Sequence, residues 1–232
     1  MAPARRVHKG KGERMADSKT VRYEGTNGDV AWNGELCIHA GECGRAKGEL
    51  FVGGRKPWCE PDSGGTQNEL VQVLKRCPTG ALSFEQEGAT VDEVADKENR
   101  LVVANNGPLY VSGQLEIDGA TAEMPSVRYR AALCRCGHSK NKPFCDNAHE
   151  AVGFKDHGAV GDTGSVLESE GGPLVIKRAA NGPLLVSGNL RIVAASGRVA
   201  WSGTKAALCR CGHSKNKPFC DGAHKAEGFE AE

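Results

Sequence analysis

The chain has 232 residues, with 30 Lys plus Arg against 29 Asp plus Glu and a formal charge of +1. So even a balance lacks the basic footprint of a dedicated nucleic-acid binder, and no stretch approaches the roughly 20 apolar residues of a membrane span. Hydrophobic residues make up 39% but aromatic ones only 5%, which predicts small cores in need of staples such as bound metals.

Residues 1–20, MAPARRVHKGKGERMADSKT, hold six Lys or Arg and two acidic groups and contain no apolar run. They read as a disordered basic tail, not a secretory leader. A single short basic run is weak evidence for an anionic partner, so neither nucleic acid nor membrane is expected as one. Ten cysteines without a leader point to a reducing, cytoplasmic setting, where clustered Cys and His mean metal.

Residues 21–90 form a distinct unit. VRYEG and DVAWN read as short strands around the turn Thr26-Asn27-Gly28. A cysteine-bearing loop follows. From Thr66 to Cys77 the apolar Leu70, Val71, Val73 and Leu74 stand at helical spacing, Pro78 stops the helix, and ALSF gives another strand. The chemistry of this unit lies in Cys37, Cys43 and the Cys77-Pro78 pair. A bacterial ferredoxin loop spaces its ligands C-x2-C-x2-C and takes a remote one followed by Pro; here the middle place holds Ala40. Cys59 and His39 are candidates for the missing ligand, and Trp58 for core or a cover over the site.

Residues 87–100 are acidic and polar and suit a linker. Beyond them the chain repeats itself at an offset of 75 residues: CRCGHSKNKPFCDNAH from Cys134 answers CRCGHSKNKPFCDGAH from Cys209, and NGPLYVSG from Asn106 answers NGPLLVSG from Asn181. Each copy opens with strand, Asn-Gly-Pro turn and strand, and a further strand is read in QLEID and NLRIV. The units span 100–156 and 174–232, joined by a Gly- and Ser-rich segment, 157–173, read as a flexible linker.

Each copy keeps three cysteines and a histidine as C-x-C-x8-C-x3-H: Cys134, Cys136, Cys145 and His149, then Cys209, Cys211, Cys220 and His224. Thiolate and neutral imidazole are metal donors. The last Cys and His, four apart, face the same way if a helical turn begins there, which gives two ligands for each of two metals. Structural zinc of the Cys3His type is the other reading of this spacing, although C-x-C is tight for it.

The string Cys209-x-Cys211-x2-Ser214-x3-Pro218-x-Cys220-Asp221-Gly222-Ala223-His224 resembles the signature of the CDGSH iron-sulfur domain family, and the first copy resembles it equally apart from Asn147. The resemblance implies a [2Fe-2S] cluster held by three cysteines and one histidine in each unit. It also implies a small β-rich fold that works as a pair, hence an intrachain pseudo-dimer in a monomeric chain. Ser139, Asp146, Ser214 and Asp221 match family positions that hydrogen-bond around the cluster. Gly at the place of Asn147 points to a left-handed backbone, which Asn tolerates best. Residues 21–90 resemble a divergent single-cluster ferredoxin domain, which implies a [3Fe-4S] or [4Fe-4S] cluster on Cys37, Cys43 and Cys77, with Cys59 as fourth ligand if it reaches.

The expected whole is an α+β chain, a small ferredoxin-like α+β domain followed by two β-rich CDGSH domains. It would transfer electrons to or from a redox partner protein. The alternatives are a cluster carrier serving an iron-sulfur acceptor protein, a redox or pH sensor, and a structural zinc protein mediating contacts. Lys140, Lys142, Lys215 and Lys217 in the ligand loops either solvate them or steer an acidic partner. No nucleophile triad, phosphate loop or G-x-G-x-x-G frame is present, so an enzyme is not expected.

Overall fold

The computed structural model describes residues 19–161 and 163–231. The expected basic tail thus lies almost wholly outside the described residues. Strands β1 (Thr20–Tyr23), β2 (Asp29–Asn33), β3 (Leu82–Gln86) and β4 (Ala89–Thr90) form an antiparallel sheet in that order. Between β2 and β3 lies α1 (Gln67–Leu74). Thr66 caps it, accepting from the Glu69 amide while the Glu69 carboxylate accepts from the Thr66 amide, a reciprocal capping box. Leu70 and Leu74 turn inward from this helix onto Val30, Leu82 and Phe84 of the sheet.

The repeated units build a second sheet from β5 (Arg100–Val103), β6 (Leu109–Ser112), β7 (Gln114–Ile117), β8 (Arg130–Leu133), β9 (Pro173–Arg178), β10 (Leu184–Val193) and β11 (Val199–Leu208), with one-turn helices α2 (Ala148–Ala151) and α3 (Ala223–Ala226). The repeats are β-rich, as expected, and the chain as a whole is mostly β. Among the described residues α1 is the one helix longer than a turn. Its cause is local: the helical pattern between Thr66 and Pro78 has no counterpart in the repeats, where alternating runs such as QLEI bury every second residue, Leu115 and Ile117.

The sheet is knitted by exchange. β7 of the first unit runs parallel to β9 of the second, pairing Glu116 with Val175, while the end of β10 runs parallel to β5, pairing Arg191 with Arg100. At the offset of 75 these two pairings are the same contact made twice. One continuous core results, with Leu101, Val103, Leu109 and Leu133 of the first unit against Leu174, Ile176, Leu184 and Ile192 of the second.

Two segments read as linkers are fastened. In 157–173, Gly158 accepts from the Ala195 amide at 3.0 Å, Ser165 donates to the Ser202 carbonyl at 2.7 Å, and Val160 is buried in the core. In 87–100, the Glu93 carboxylate pairs with Arg130 and the Ser126 hydroxyl donates to it at 2.9 Å. Composition suited both to be loops, and each carries an apolar or acidic residue that finds a buried partner.

The first unit is docked on the repeat by Arg130. This buried guanidinium donates to the carbonyls of Cys77 (2.7 Å), Leu74 (3.1 Å) and Leu82 (3.1 Å), besides its pair with Glu93. The Leu74 carbonyl ends α1, where partial negative charge collects. Leu36 and Ala81 join the main core alongside, and Ile38 packs with Ala132, Cys145 and Tyr110. Full burial of such aliphatic side chains contributes about 1.5–3 kcal/mol each. No helix among the described residues is long and apolar enough to cross a membrane.

Candidate metal centres

Each ligand loop leaves the end of a strand and is drawn back to it. The Cys134 amide donates to Pro143 and the Cys145 amide to Ala132; likewise Cys209 to Pro218 and Cys220 to Ala207, all within 2.8–2.9 Å. This brings the first and third cysteines of each copy to the same strand end. Asn147 and Gly222 then adopt φ of 71° and 91°, the left-handed turn that starts α2 and α3. One helical turn later His149 aims Nδ1 at Cys145 Sγ, 3.4 Å away, and His224 aims at Cys220 at the same distance.

Cys134 and Cys136 stand with sulfurs 3.8 Å apart, as do Cys209 and Cys211. Two thiolates at about 2.3 Å from a tetrahedral metal are separated by about 3.8 Å, and a thiolate and an imidazole by about 3.5 Å. Both pairs in each copy therefore sit at the ligand edge of a four-coordinate metal. The donors in each copy thus come as two pairs, Cys with Cys and Cys with His. Burial pushes the Cys145 thiol up to about 12 and Cys209 to about 11; these thiols stay protonated at neutral pH until a metal displaces the proton.

Ser139 and Ser214 donate to the Phe144 and Phe219 carbonyls at 2.6 Å and accept from Asn141 and Asn216 amides at 3.0 Å. Asp146 accepts from the amides of Lys140 and Ala148, and Asp221 from Lys215 and Ala223. Burial works against the Asp146 carboxylate, yet those amides hold it below the usual range; the Lys215 amide does most of this at Asp221. These four side chains thus brace the loop backbone.

The residue between the paired cysteines was not singled out by sequence reasoning, although C-R-C occurs in both copies. Arg135 and Arg210 are only 1% exposed. Arg135 donates to the Gly107 carbonyl (2.7 Å) and to Asp156 (2.5 Å), and Arg210 to the carbonyls of Gly182 (2.9 Å) and Ala179 (2.7 Å). They pin the C-x-C turn onto the preceding Asn-Gly-Pro turn, and each lies over a phenylalanine, Phe154 or Phe229. Lys142 donates to the Ser139 carbonyl and faces Phe229 of the other copy, while Lys217 does the reciprocal with Ser214 and Phe154. Two of the four loop lysines are therefore committed within the chain, and Lys140 and Lys215 remain exposed.

In the first unit Cys37, Cys43 and Cys77 line a cavity of about 470 Å³ together with Ile38, His39, Ala40, Trp32 and Trp58. Trp58 packs among Tyr23, Trp32 and Phe51, with ring centroids 4.7–6.1 Å away, and closes one wall. The Thr79 hydroxyl lies 3.4 Å from Cys77 Sγ. Three thiols around a largely apolar cavity suit an inorganic sulfide cluster. Cys59 is not among its lining residues. It is 1% exposed in the core beside Phe51 and Leu50, and burial pushes its thiol up to about 12.

The three sites adjoin. Tyr110, half-buried, packs with Ile38 of the first unit and with Ala132 and Cys145 of the repeat; burial raises its phenol, and charge on Cys145 and Cys77 adds to this. Between the repeats, a Cβ placed on Gly137 would stand 2.4 Å from the Cys211 carbonyl oxygen, and one on Gly212 would stand 2.4 Å from that of Cys136. The two C-x-C turns are thus in backbone contact.

Comparison with known families matches residues 106–150 and 181–225 to the iron-binding zinc finger of CDGSH type, and residues 23–87 to the divergent 4Fe-4S mono-cluster family. The uncharacterized protein YjdI of Escherichia coli K12, and its counterpart in E. coli O157:H7, are each 42% identical over 62 residues, which is 27% of this chain and 80% of the relative.

Proposed function

The chain belongs to the CDGSH iron-sulfur family, with two such domains behind a divergent 4Fe-4S mono-cluster domain, and from that premise we propose that it is a multi-cluster electron-transfer protein and not an enzyme. The reading gives a [2Fe-2S] cluster to each Cys3His set and a [4Fe-4S] or [3Fe-4S] cluster to Cys37, Cys43 and Cys77. With Ala40 in the middle place and Cys59 in the core, a cubane's fourth corner would fall to His39 or solvent. The repeats act as a pseudo-dimer within one chain, which the reciprocal pairings of β7 with β9 and β10 with β5 support. Donors in separate pairs favour two metals per site over one zinc ion.

When bound, such clusters supply one-electron redox chemistry at potentials set by charge, hydrogen bonds to sulfur and solvent exposure. The chain's part is to hold them close together and dry. The observation that carries the reading is the join at Ile38: Ile38 adjoins Cys37 in sequence and packs with Cys145, Ala132 and Tyr110 of the first repeat, while Arg130 of that repeat donates to the Cys77 carbonyl at 2.7 Å. That join serves no obvious purpose in a structural zinc protein, and it gives the first unit a fixed place beside the first repeat. The outside partner is a redox protein; delivery to an iron-sulfur acceptor protein is a second reading, favoured at the second repeat alone by the greater exposure of Cys220 and His224.

Paramagnetic resonance of anaerobically purified, reduced protein tests this. Spectra are expected to show spin–spin broadening between neighbouring clusters, and Cys37→Ser together with Cys43→Ser should narrow the first-repeat signal, leaving only the coupling to the second repeat. A sum of independent, unbroadened signals would reject the proposed relay, and a colourless protein with stoichiometric zinc would reject the clusters themselves.

A further inference from the structure

The duplicated units present the same sheet face twice, and the described residues cover only one of them. On the first, Val102, Tyr110 and Ala132 lie in one row and Arg100, Ser112 and Arg130 in the next. The first unit lies over this face. On the second, the rows are Lys177, Leu185 and Ala207, then Val175, Ser187 and Lys205. Exposure follows the cover. Arg130 is 7% and Ala132 2% exposed, whereas Lys205 is exposed and Ala207 half-buried; Leu185, in the place of Tyr110, is 47% exposed. Cys145 is 2% exposed and Cys220 half-buried, and Asn141 donates to the Glu35 carbonyl where Asn216 is exposed.

Resting on the electron-transfer reading, we infer that the open face of the second repeat, centred on Leu185 with Lys177 and Lys205 beside Cys220, is the docking surface for a separate acidic redox protein. The first repeat shows the use to which this face is put. A cluster-bearing domain seats there through one apolar contact beside the ligating cysteine and one cation that meets carbonyls and a carboxylate.

The substitutions between the copies say what kind of partner the second face takes. Arg130 serves three carbonyls and Glu93 with one fork, a fit to a permanent neighbour. Lys205 in its place is a point charge on a flexible stem, which holds carboxylates without demanding one geometry. Val102 is replaced by Lys177, a second cation flanking the apolar Leu185. Glu116, on β7 beside Val175, is an acidic group bordering the rows, set against the two lysines. A small apolar centre ringed by cations favours rapid, salt-sensitive encounter with an acidic surface. The first unit of a second copy does not fit, because in every copy that unit already uses Ile38 and its Arg130 contacts on its own chain.

The test titrates the cluster-loaded full chain against an acidic plant-type [2Fe-2S] ferredoxin, with a basic c-type cytochrome as control. Binding is followed calorimetrically at low and high salt and mapped by carbodiimide crosslinking. The ferredoxin is expected to bind at low salt and release at high salt, with crosslinks at Lys177 and Lys205. Lys177→Glu combined with Lys205→Glu should weaken it at least about tenfold, and Lys47→Glu with Lys56→Glu should not. The inference is overturned if the acidic probe does not bind, if the lysine pair makes no difference, if the basic cytochrome binds equally well, or if this face is instead protected by self-association. Cluster-to-cluster broadening is read on the protein alone, so failure to dock with broadening intact would sink the docking surface and leave the relay standing.

Discussion

Replacing Gly137 or Gly212 by alanine is expected to damage both CDGSH sites at once. Each glycine has φ of +89°, and its missing Cβ would meet the carbonyl oxygen of Cys211 or Cys136 at 2.4 Å. The left-handed backbone costs an alanine about 1–2 kcal/mol, and forcing the overlap adds about 1–3 kcal/mol. The obstacle is backbone, which cannot rotate away like a side-chain tip. Since the displaced carbonyl belongs to a cysteine ligand of the opposite repeat, a change in one copy should loosen metal retention in the other.

Gly197→Ala isolates the backbone cost, because that residue has φ of +85° with nothing within 4 Å of its Cβ position. Gly222→Asn provides a second control: the first repeat already carries Asn147 at φ 71°, so little change is expected. Denaturant midpoints and visible absorbance per chain, measured on all four variants, decide the matter. Equal losses in Gly137→Ala and Gly197→Ala, or loss of colour from one repeat only, would show that the two C-x-C turns do not bear on each other.

Why the contact between repeats was not legible in the sequence can be seen from β7 and β10. QLEI and the NLRI stretch announce strands by alternation, yet alternation says nothing about which strand lies alongside; the exchange with β9 and β5 is a tertiary choice. The Cys and His pairs were legible because a spacing suited to coordination constrains the backbone directly, down to the left-handed residue before the helical turn at Asn147 and Gly222. Cys59 carries no such constraint: cysteine is among the side chains most often buried as a small hydrophobe, and here it lies in the core while His39 faces the cavity. Arg135 and Arg210 were hidden for a different reason. An arginine in a loop reads as solvated, and only the fold brings the Asn-Gly-Pro turn carbonyls under it. Composition likewise took Glu93 for a linker charge, whereas Arg130 makes it a docking partner.

The asymmetry that leaves one repeat open also predicts which cluster yields first to acid. Imidazole must be neutral to ligate, and its free pKa of about 6.5 sets protons against the metal in mildly acid solution. Burial lowers the pKa of His149, which is 8% exposed and whose neighbour Cys145 is covered by Ile38. A depressed folded pKa means that the unfolded chain takes up the proton first. The stabilising contribution is therefore whole above about pH 6.5 and is lost as pH falls through the lowered folded value. For the first repeat the acid limit thus lies below the ordinary histidine range. His224 stands partly exposed beside a half-buried Cys220, with no described residue where the first unit would lie. Protons reach it without the first unit moving. Visible absorbance after a drop to mildly acid pH should then decay in two phases, the faster belonging to the second repeat. His224→Cys is expected to slow the fast phase severalfold and leave the slow one, whereas His149→Cys should change only the slow one. Deleting the cover tests the cause: Ile38→Ala with Arg130→Leu should bring the two phases together. A single phase in the wild type, or a fast phase abolished by His149→Cys and untouched by His224→Cys, would mean that exposure does not rank these sites.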